Sequence, residues 1–429
     1  MLLRLPFSAD FLALAMAFVD KGARGSGYGD REAQGLVLAV EELFSFYEQQ
    51  AAKGSIAEIE MEDQGYRLAL SISFCLANPD MQAFNLTWNV NHDSEESLKM
   101  LGPMIAARTL SSLRLEFGDK EKVILRLTRN REYRSAEPVL LPPSGSTSSL
   151  RVTDPSREEI YHFASMAATY GSPFLPLFLA HPEMAADMLE TGHLHALLVV
   201  SDDWIMGGVL WKPLTNSCLE LYGPYLFIDD PEDAAMNRLM DEAVKCISRS
   251  RFKGLVRRQG ALADHERFFD LLGEIQLSPN NNVKANATYY YRQLREESSG
   301  VVYCSGHLAA FLDEQYRRLC LPRQIRTASS QRLRNASVLA VELENTRSLA
   351  IIRPLCAGKD MATNLNEHLD LLQGEGIENF IVELDTGRRE EIAFADALEK
   401  NSFIPRLLIP DAGIGDLVIY EHSNRDLQP

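Results

Sequence analysis

Cysteine is scarce in this sequence: six occur in 429 residues, and none stands in a Cys-x-x-Cys pair. Zinc knuckles need such paired ligands, and a disulfide framework needs more cysteine in a shorter chain, so both classes are excluded. The nine histidines form no His-Glu-x-x-His motif, and the sequence predicts no metal site. Scattered single cysteines are typical of a reducing cytosol, which predicts a cytoplasmic protein of bacterial type.

Long uncharged hydrophobic runs are absent as well. The apolar N-terminal stretch MLLRLPFSADFLALAMAF is interrupted by Asp10, and no small-residue cleavage pattern follows it. A helix that spans a bilayer needs about 20 predominantly apolar residues. We therefore expect neither a signal peptide nor a membrane span, and no membrane partner.

Clustered basic charge is also missing, since the chain carries a net charge of −17 and has a pI near 5.1. A phosphate backbone would be repelled by such a surface unless basic residues were tightly grouped. Nucleic acid is therefore not an expected partner.

What is present is enough apolar sequence, 46%, for two or three packed domains. The stretch SAEPVLLPPSGSTSSL, rich in Pro, Ser and Gly, cannot sustain a helix or a strand and indicates a linker. A weaker seam, REESSG, follows the apolar segment ATYYYRQL. We therefore predict a domain over residues 1–134, a linker over 135–149, and domains over 150–297 and 298–429.

The periodicity of the apolar residues predicts an α/β fold in every block. The first block has the pattern of a sandwich, with helices on one face of a mixed sheet. Its predicted elements are two early helices at 9–24 and 31–50, strands at 56–62 and 66–74, a helix near 94–110 and a closing hairpin. The second and third blocks share one order, two or three strands, helix, strand, helix, strand, which indicates a duplicated mixed α/β fold. In the second block the two helices are predicted at 231–251 and 262–272.

The helix segment LAVEELFSF resembles that of the histidine-kinase-type (GHKL) ATPases in their anti-sigma-factor branch. In that family a glutamate positions the attacking water, and an asparagine four residues later holds Mg²⁺. The resemblance places Glu42 at the glutamate position and Phe46 at the asparagine position. A phenylalanine offers no lone pair to a hard cation, so the metal site is lost.

Two further nucleotide-binding elements of this family are degenerate. Phe74 or Cys75 stands where the family has an adenine-reading aspartate, and the phosphate loop is reduced to Gly102 followed by Pro103. Glu42 and Gly102 are thus the remnant of a nucleotide site, and ATP with Mg²⁺ is not an expected cofactor. Glu42 also fits a half-buried helix position with a structural partner.

The second and third blocks resemble the GNAT N-acetyltransferases, with features such as the strand WIMGGVLW and the segments FFDLLGEI and YYYRQL. That family binds acyl-CoA pyrophosphate on backbone amides where a helix begins after the central strand. In the second block this helix start is IDDPEDAAMNRL, in which Asp229, Asp230, Glu232 and Asp233 would repel a diphosphate. The second block is therefore predicted to be a scaffold.

The third block offers a better anion site, with Gly358 and Lys359 beside a helix start and Arg353 in the strand before it. These residues are the candidate site for acetyl-CoA or another acyl-CoA. A turn at Gly358 and a solvated Lys359 explain the same residues. Glu383 and Asp385 are open both to a general-base role and to a strand-end role. No catalytic residue is identified.

Three functions follow, and the sequence leaves open whether the chain is an enzyme. The first is a cytosolic regulator that joins a degenerate ATPase module to tandem GNAT-like domains, with a protein partner and self-association as a homodimer. The second is an active N-acyltransferase controlled by the N-terminal block. The third, an anti-sigma-type protein kinase, is disfavoured by the lost motifs.

Overall fold

A computed structural model defines the structure of the chain. The described residues are 1–49, 51–75, 85–87, 101–117, 122–142, 150–171, 175–201, 204–230, 233–259, 265–277, 285–296, 299–328, 333–344 and 348–423. The chain divides into two compact units. The first unit comprises Met1–Glu132, Leu333–Ala340 and Leu355–His368; the second comprises Tyr133–Arg332, Val341–Pro354 and Leu369–Pro429.

The predicted boundaries at 134/135, 149/150 and 297/298 stay predictions. Of the predicted linker, residues 135–142 contain neither helix nor strand, and residues 143–149 lie outside the described ranges.

The first unit contains one five-stranded sheet and the helices that cover it. Its strands are β1 (Leu2–Pro6), β2 (Ile56–Asp63), β3 (Arg67–Cys75), β4 (Ser112–Phe117) and β5 (Lys122–Asn130). Its helices are a 3-10 turn (Ala9–Phe11), α1 (Leu12–Gly25), α2 (Asp30–Glu48) and α3 (Leu101–Thr109). The strand order is β1-β2-β3-β5-β4. All four pairings are antiparallel, so the predicted mixed sheet is corrected to an antiparallel one.

Alternation along the strands explains why one face of this sheet is covered. On β2, Ala57, Ile59 and Met61 are buried, while Glu58 and Glu60 between them point to the other face. The apolar side packs with the inner faces of α1 and α2 in one hydrophobic cluster. The two early helices and the strands predicted at 56–62 and 66–74 are confirmed to within a few residues. The helix predicted near 94–110 is observed over Leu101–Thr109, and residues 94–100 lie outside the described ranges.

The second unit opens with a seven-stranded sheet. Its strands are β6 (Arg151–Thr153), β7 (His195–Ser201), β8 (Trp204–Pro213), β9 (Cys218–Leu226), β10 (Gly254–Gln259), β11 (Asp270–Leu277) and β12 (Ala285–Gln293). The helices are α4 (Arg157–Tyr170), α5 (Leu177–Ala180), α6 (Pro182–Glu190), α7 (Ala234–Ser248) and α8 (His265–Phe268). The order is β11-β12-β10-β9-β8-β7-β6. Only β9 and β10 pair in parallel, through the crossover helix α7.

One predicted helix of this block is wrong. Residues 262–272 were expected to be helical, but within the described ranges only α8, His265–Phe268, is helical, and residues 270–272 belong to strand β11. Residues 262–264 lie outside the described ranges. The physical reason is that Leu272, Ile275 and Leu277 are buried while β11 pairs along β12, with a register shift at Gly273. That shift disturbs the simple alternation by which a strand is recognised from sequence.

The last part of the chain adds a parallel pair and a second sheet. The strands are β13 (Gly300–Cys304), β14 (Arg323–Thr327), β15 (Val338–Glu344), β16 (Leu349–Cys356), β17 (Asn379–Asp385), β18 (Phe403–Ile409) and β19 (Leu417–His422). The helices are α9 (Leu308–Arg318), α10 (Met361–Gly374), α11 (Arg389–Ile392) and α12 (Ala395–Lys400). The sheet order is β15-β16-β17-β19-β18, in which β16 and β17 are parallel and joined by α10. The mixed α/β class of the chain is thereby confirmed.

Candidate functional sites

The predicted nucleotide remnant lies where α2 and α3 meet. A Cβ atom on Gly102 would lie 2.9 Å from Oε2 of Glu42 and 3.2 Å from its carbonyl oxygen. The structure therefore brings Glu42 and Gly102 together, and the nucleotide site itself stays a prediction. Gly102 also has a packing role, because a side chain at this position would press on the backbone of α2 at Glu42.

Aromatic side chains occupy the positions at which the ATPase family has its metal ligand and its adenine-binding aspartate. Phe46 is buried and contacts Tyr47 edge-on at 4.8 Å between ring centroids. Phe74 is buried and stacks on Phe7 at 4.5 Å, with Tyr47 at 5.4 Å. These rings belong to the core of the first unit, so they can supply neither a metal ligand nor a hydrogen bond to adenine. The remainder of the predicted adenine-reading loop, residues 76–80, lies outside the described ranges.

The carboxyl ends of β9 and β10 form a first possible binding crevice in the second unit. In open α/β sheets, ligands bind outside the carboxyl ends of parallel strands that separate there. The pairing of β9 with β10 ends at Leu221 and Arg257, whereas β9 continues to Leu226. Arg257 closes this gap, since its Nε donates to the carbonyl oxygen of Gly223 at 2.6 Å. Only 5% of Arg257 is exposed, and this burial lowers its pKa to about 10.

The helix start beside this crevice is also occupied by the protein itself. The carboxylate of Asp230 accepts hydrogen bonds from the backbone N–H groups of Ala234 and Met236, each at 3.0 Å. Those first-turn amides are the donors that a phosphate would use at a helix N-terminus. The helix begins at Ala234 rather than at 231, after Asp233 in a left-handed conformation. Residues 231 and 232 lie outside the described ranges.

Arg353, predicted to bind an anion, is held by two carboxylates. Its Nε lies 2.6 Å from Oε2 of Glu383, and its Nη1 lies 2.8 Å from Oε2 of Glu342. Burial works against the charge of Arg353, but the two carboxylates outweigh it and raise its pKa. One guanidinium between two carboxylates leaves a local excess of negative charge, which opposes a phosphate.

Gly358 and Lys359 lie in the first unit, where both have structural roles. A Cβ on Gly358 would be 2.2 Å from the backbone nitrogen of Ser337, so only glycine permits this close approach of two backbone segments. The backbone N–H of Lys359 donates to the carbonyl oxygen of Arg334 at 3.0 Å, and its side chain is exposed. The acyl-CoA site at Gly358, Lys359 and Arg353 stays a prediction.

A chain of alternating charges, with Glu220 and Glu383 buried and Glu342 exposed, runs through the second unit. Glu220 pairs with Arg258 at 2.7 Å, Arg258 lies 3.8 Å from Glu383, and Glu383 pairs in turn with Arg353 and so with Glu342. Burial by itself would raise the pKa of Glu220, but Arg258 lowers it to about 2. These ion pairs thereby link β9 and β10 of the seven-stranded sheet to β15, β16 and β17 of the last five-stranded sheet. This arrangement was not predicted from the sequence, although the charged residues inside the apolar strands CLELY and GLVRR were a signal of it.

The other candidate base, Asp385, is also engaged. Its carboxylate accepts hydrogen bonds from the backbone N–H groups of Gly387, Ile414 and Gly415, at 2.6 to 2.9 Å. Glu391, which the sequence analysis did not single out, accepts from the backbone N–H of Asp385 at 2.8 Å. Burial first, and then the charge of Asp385, raise the pKa of Glu391 to about 8.

Two structural searches bear on metals and membranes. Within the described ranges, no group of three or more His, Cys, Asp or Glu side chains is arranged to hold a metal ion. No helix in that part of the chain is long and apolar enough to cross a bilayer.

Comparison with known proteins gives structural neighbours only. No family model matches the sequence, and no curated protein matches it. Among solved structures, a GNAT-family acetyltransferase from Desulfovibrio desulfuricans is 14% identical and has a TM-score of 0.26, and an N-acetyltransferase from Staphylococcus aureus Mu50 is 11% identical with a TM-score of 0.30. An aminoglycoside 6'-N-acetyltransferase complexed with coenzyme A is 8% identical with a TM-score of 0.27. Each match covers 34% of this chain and 99 to 100% of the neighbour.

Proposed function

We propose that this protein is a regulatory binding protein that acts through protein contacts. In this proposal its nucleotide-like and acyl-CoA-like sites are filled by its own side chains. The N-terminal block is a degenerate module of the histidine-kinase ATPase type, and the remainder consists of tandem GNAT-like domains. Regulation, the ATPase ancestry and the protein partner are parts of the proposal.

The observation that carries the proposal is the carboxylate of Asp230 on the first-turn amides of α7. A phosphate that entered this helix start would have to displace a charge-assisted hydrogen bond at each amide, worth about 1.5–3 kcal/mol apiece. It would also meet the negative charge of the displaced carboxylate. The helix terminus itself offers only about 0.3–1 kcal/mol. Binding of a diphosphate at this position is therefore unfavourable.

The first unit supports the same proposal from a different surface. Helix α1 and the 3-10 turn before it expose apolar side chains, with Leu14 of α1 51% exposed and Phe11 of the turn 37% exposed. Together with α2 it borders a shallow groove of about 410 Å³ whose lining includes Met16, Val37 and Leu38. Contiguous exposed apolar surface is a property of protein interaction sites.

An active N-acyltransferase is the second candidate, and Glu391 favours it. A carboxyl group with a pKa of about 8 at the carboxyl end of β17 has the proton affinity that a general base needs near neutral pH. In that case acetyl-CoA would be the expected cofactor. Titration with acetyl-CoA separates the two functions.

We expect no measurable binding of acetyl-CoA to the wild-type protein at about 1 mM ligand by isothermal titration. Asp230→Ala frees two helix amides and removes a carboxylate, so weak binding should appear in this variant. Asp270→Ala, which removes an exposed carboxylate elsewhere in the second unit, is the matched control and should behave like wild type.

Tight binding of acetyl-CoA by the wild-type protein would contradict the regulatory proposal. If Lys359→Glu then weakened that binding at least tenfold, the predicted site at Gly358, Lys359 and Arg353 would be established, together with the acyltransferase alternative.

Mg-ATP should leave the thermal unfolding of the protein unchanged, because Phe46 and Phe74 are core residues. A ligand present at a hundred times its dissociation constant adds about 2.7 kcal/mol to the free energy of unfolding, which thermal melting detects readily. A clear shift in melting temperature that Glu42→Ala abolishes, and that Glu41→Ala on the same helix retains, would show that the nucleotide site is functional.

A further inference from the structure

A cavity of about 680 Å³ lies in the second unit between α4, β6 and the start of β8. Its volume is in the range of small-molecule sites, which is about 300–1,000 Å³. Its lining includes Leu140, Arg151, Asp154, His162, Met166 and Trp204. None of the sites described above uses these residues.

The strand register places this cavity at the end of the seven-stranded sheet where β9 terminates. Trp204 pairs with Ser201 where β7 turns into β8, and Gly207 of β8 pairs with Leu226 at the carboxyl end of β9. Because β8 and β9 are antiparallel, the beginning of β8 and the carboxyl end of β9 lie at the same end of the sheet. Ligands of open α/β sheets bind outside the carboxyl ends of the parallel strands, which is this end.

The cavity is lined by one guanidinium group, one carboxylate that is not otherwise engaged in the described part of the chain, and apolar side chains. Of its two carboxylates, Glu159 is already used, since it accepts from the backbone N–H of Ser156 in the capping box of α4. Asp154 and Arg151 are exposed, and no ion pair engages either of them within the described ranges. Trp204 is 43% exposed, and the buried Met166 lines the same cavity. An aromatic face that is partly open to solvent binds apolar groups and stabilises cations.

We propose that this cavity binds a small zwitterion of the amino-acid class, either a free amino acid or a short peptide, with an apolar side chain. Asp154 takes the ammonium group, Arg151 takes the carboxylate in a bidentate pair, and Trp204 and Met166 contact the side chain. The inference is independent of the proposed function, since the cavity shares no residue with the acyl-CoA-like or nucleotide-like sites.

The test is isothermal titration of the full chain with four matched ligands: L-leucine, the dipeptide Leu-Leu, 3-methylbutylamine and 4-methylpentanoate. The first two carry both charges, and the other two keep the leucine side chain but lack the carboxylate or the amine. We expect leucine or the dipeptide Leu-Leu to bind at least tenfold more tightly than either single-charge analogue. The stronger of the two zwitterions identifies the source of the ligand.

Substitutions locate the site. Asp154→Lys and Arg151→Glu should each weaken zwitterion binding at least tenfold, and Trp204→Ala should weaken it while the preference for a zwitterion persists. The matched controls, Glu158→Lys and Arg249→Glu, change exposed charges that do not line the cavity and should leave binding unchanged. Equal binding of the amine and the zwitterion would overturn the proposal, as would an absence of heat with every ligand at about 10 mM.

Discussion

Arg258→Ala should lower the free energy of unfolding by about 3–5 kcal/mol, because it leaves Glu220 buried without its partner. Arg258 also lies within 3.8 Å of Glu383, so one truncation removes the cation that separates two buried carboxylates. Urea unfolding followed by circular dichroism measures the effect as a fall in the midpoint at constant slope.

Arg267→Ala is the matched control, since the ion pair of Arg267 with Asp241 has a similar length, 2.8 Å, but is about half exposed. An exposed pair contributes about 0–1 kcal/mol, so this control should scarcely move the midpoint. A double variant with Glu220→Gln and Arg258→Met should recover part of the loss, because it removes both buried charges. If Arg258→Ala and Arg267→Ala shifted the midpoint equally, the ion pair of Arg258 with Glu220 would contribute no more to the free energy of unfolding than an exposed pair.

The sign of the pH dependence follows from the lowered pKa of Glu220. The folded-state pKa of about 2 lies below its ordinary value of 4.5. The stabilisation by this group is therefore complete above pH 4.5 and is lost as the pH falls from there towards 2. Arg258→Ala should remove much of that loss on acidification.

The elements of the first unit could be predicted from the sequence because their patterns are local. Alternation over Ile56–Asp63 and helical spacing in Asp30–Glu48 depend on a few neighbouring residues, and both elements are observed. The direction of strand pairing depends on strands far apart in the sequence. Local patterns do not determine it, and the five-stranded sheet of the first unit was wrongly expected to be mixed. The first three residues of strand β11, 270–272, were assigned to a helix because the strand pattern is interrupted at Gly273.

The candidate sites were harder to predict, because their chemistry depends on partners far apart in the sequence. Arg353 was singled out as a candidate for binding the acyl-CoA anion, but its surroundings depend on Glu383, which is 30 residues away in the chain. The acidity around Asp230 was also noticed in the sequence. The structure shows which helix amides this carboxylate binds, those of Ala234 and Met236.

Glu391→Gln should make the protein more stable than wild type above pH 8 and should flatten its stability profile between pH 4.5 and 8. The carboxyl group of Glu391 is 16% exposed, and its folded-state pKa of about 8 lies above the ordinary 4.5. Between these two values the unfolded chain ionises and the folded chain holds its proton, so wild-type stability falls as the pH rises. Each pH unit of this window corresponds to about 1.4 kcal/mol, which makes the total several kcal/mol.

The side-chain amide of glutamine retains an oxygen that can accept from the backbone N–H of Asp385, as Glu391 does at 2.8 Å. The substitution therefore removes the titration while it preserves the hydrogen bond. Glu390→Gln, at the exposed neighbouring position, is the control and should follow the wild-type profile. Urea midpoints measured at half-unit steps from pH 5 to 9 test this prediction. If Glu391→Gln and wild type declined with the same slope, the carboxyl group would already be ionised in the folded protein. Glu391 would then have no proton affinity to offer an acyl transfer at neutral pH, and the acyltransferase alternative would lose the observation that favours it.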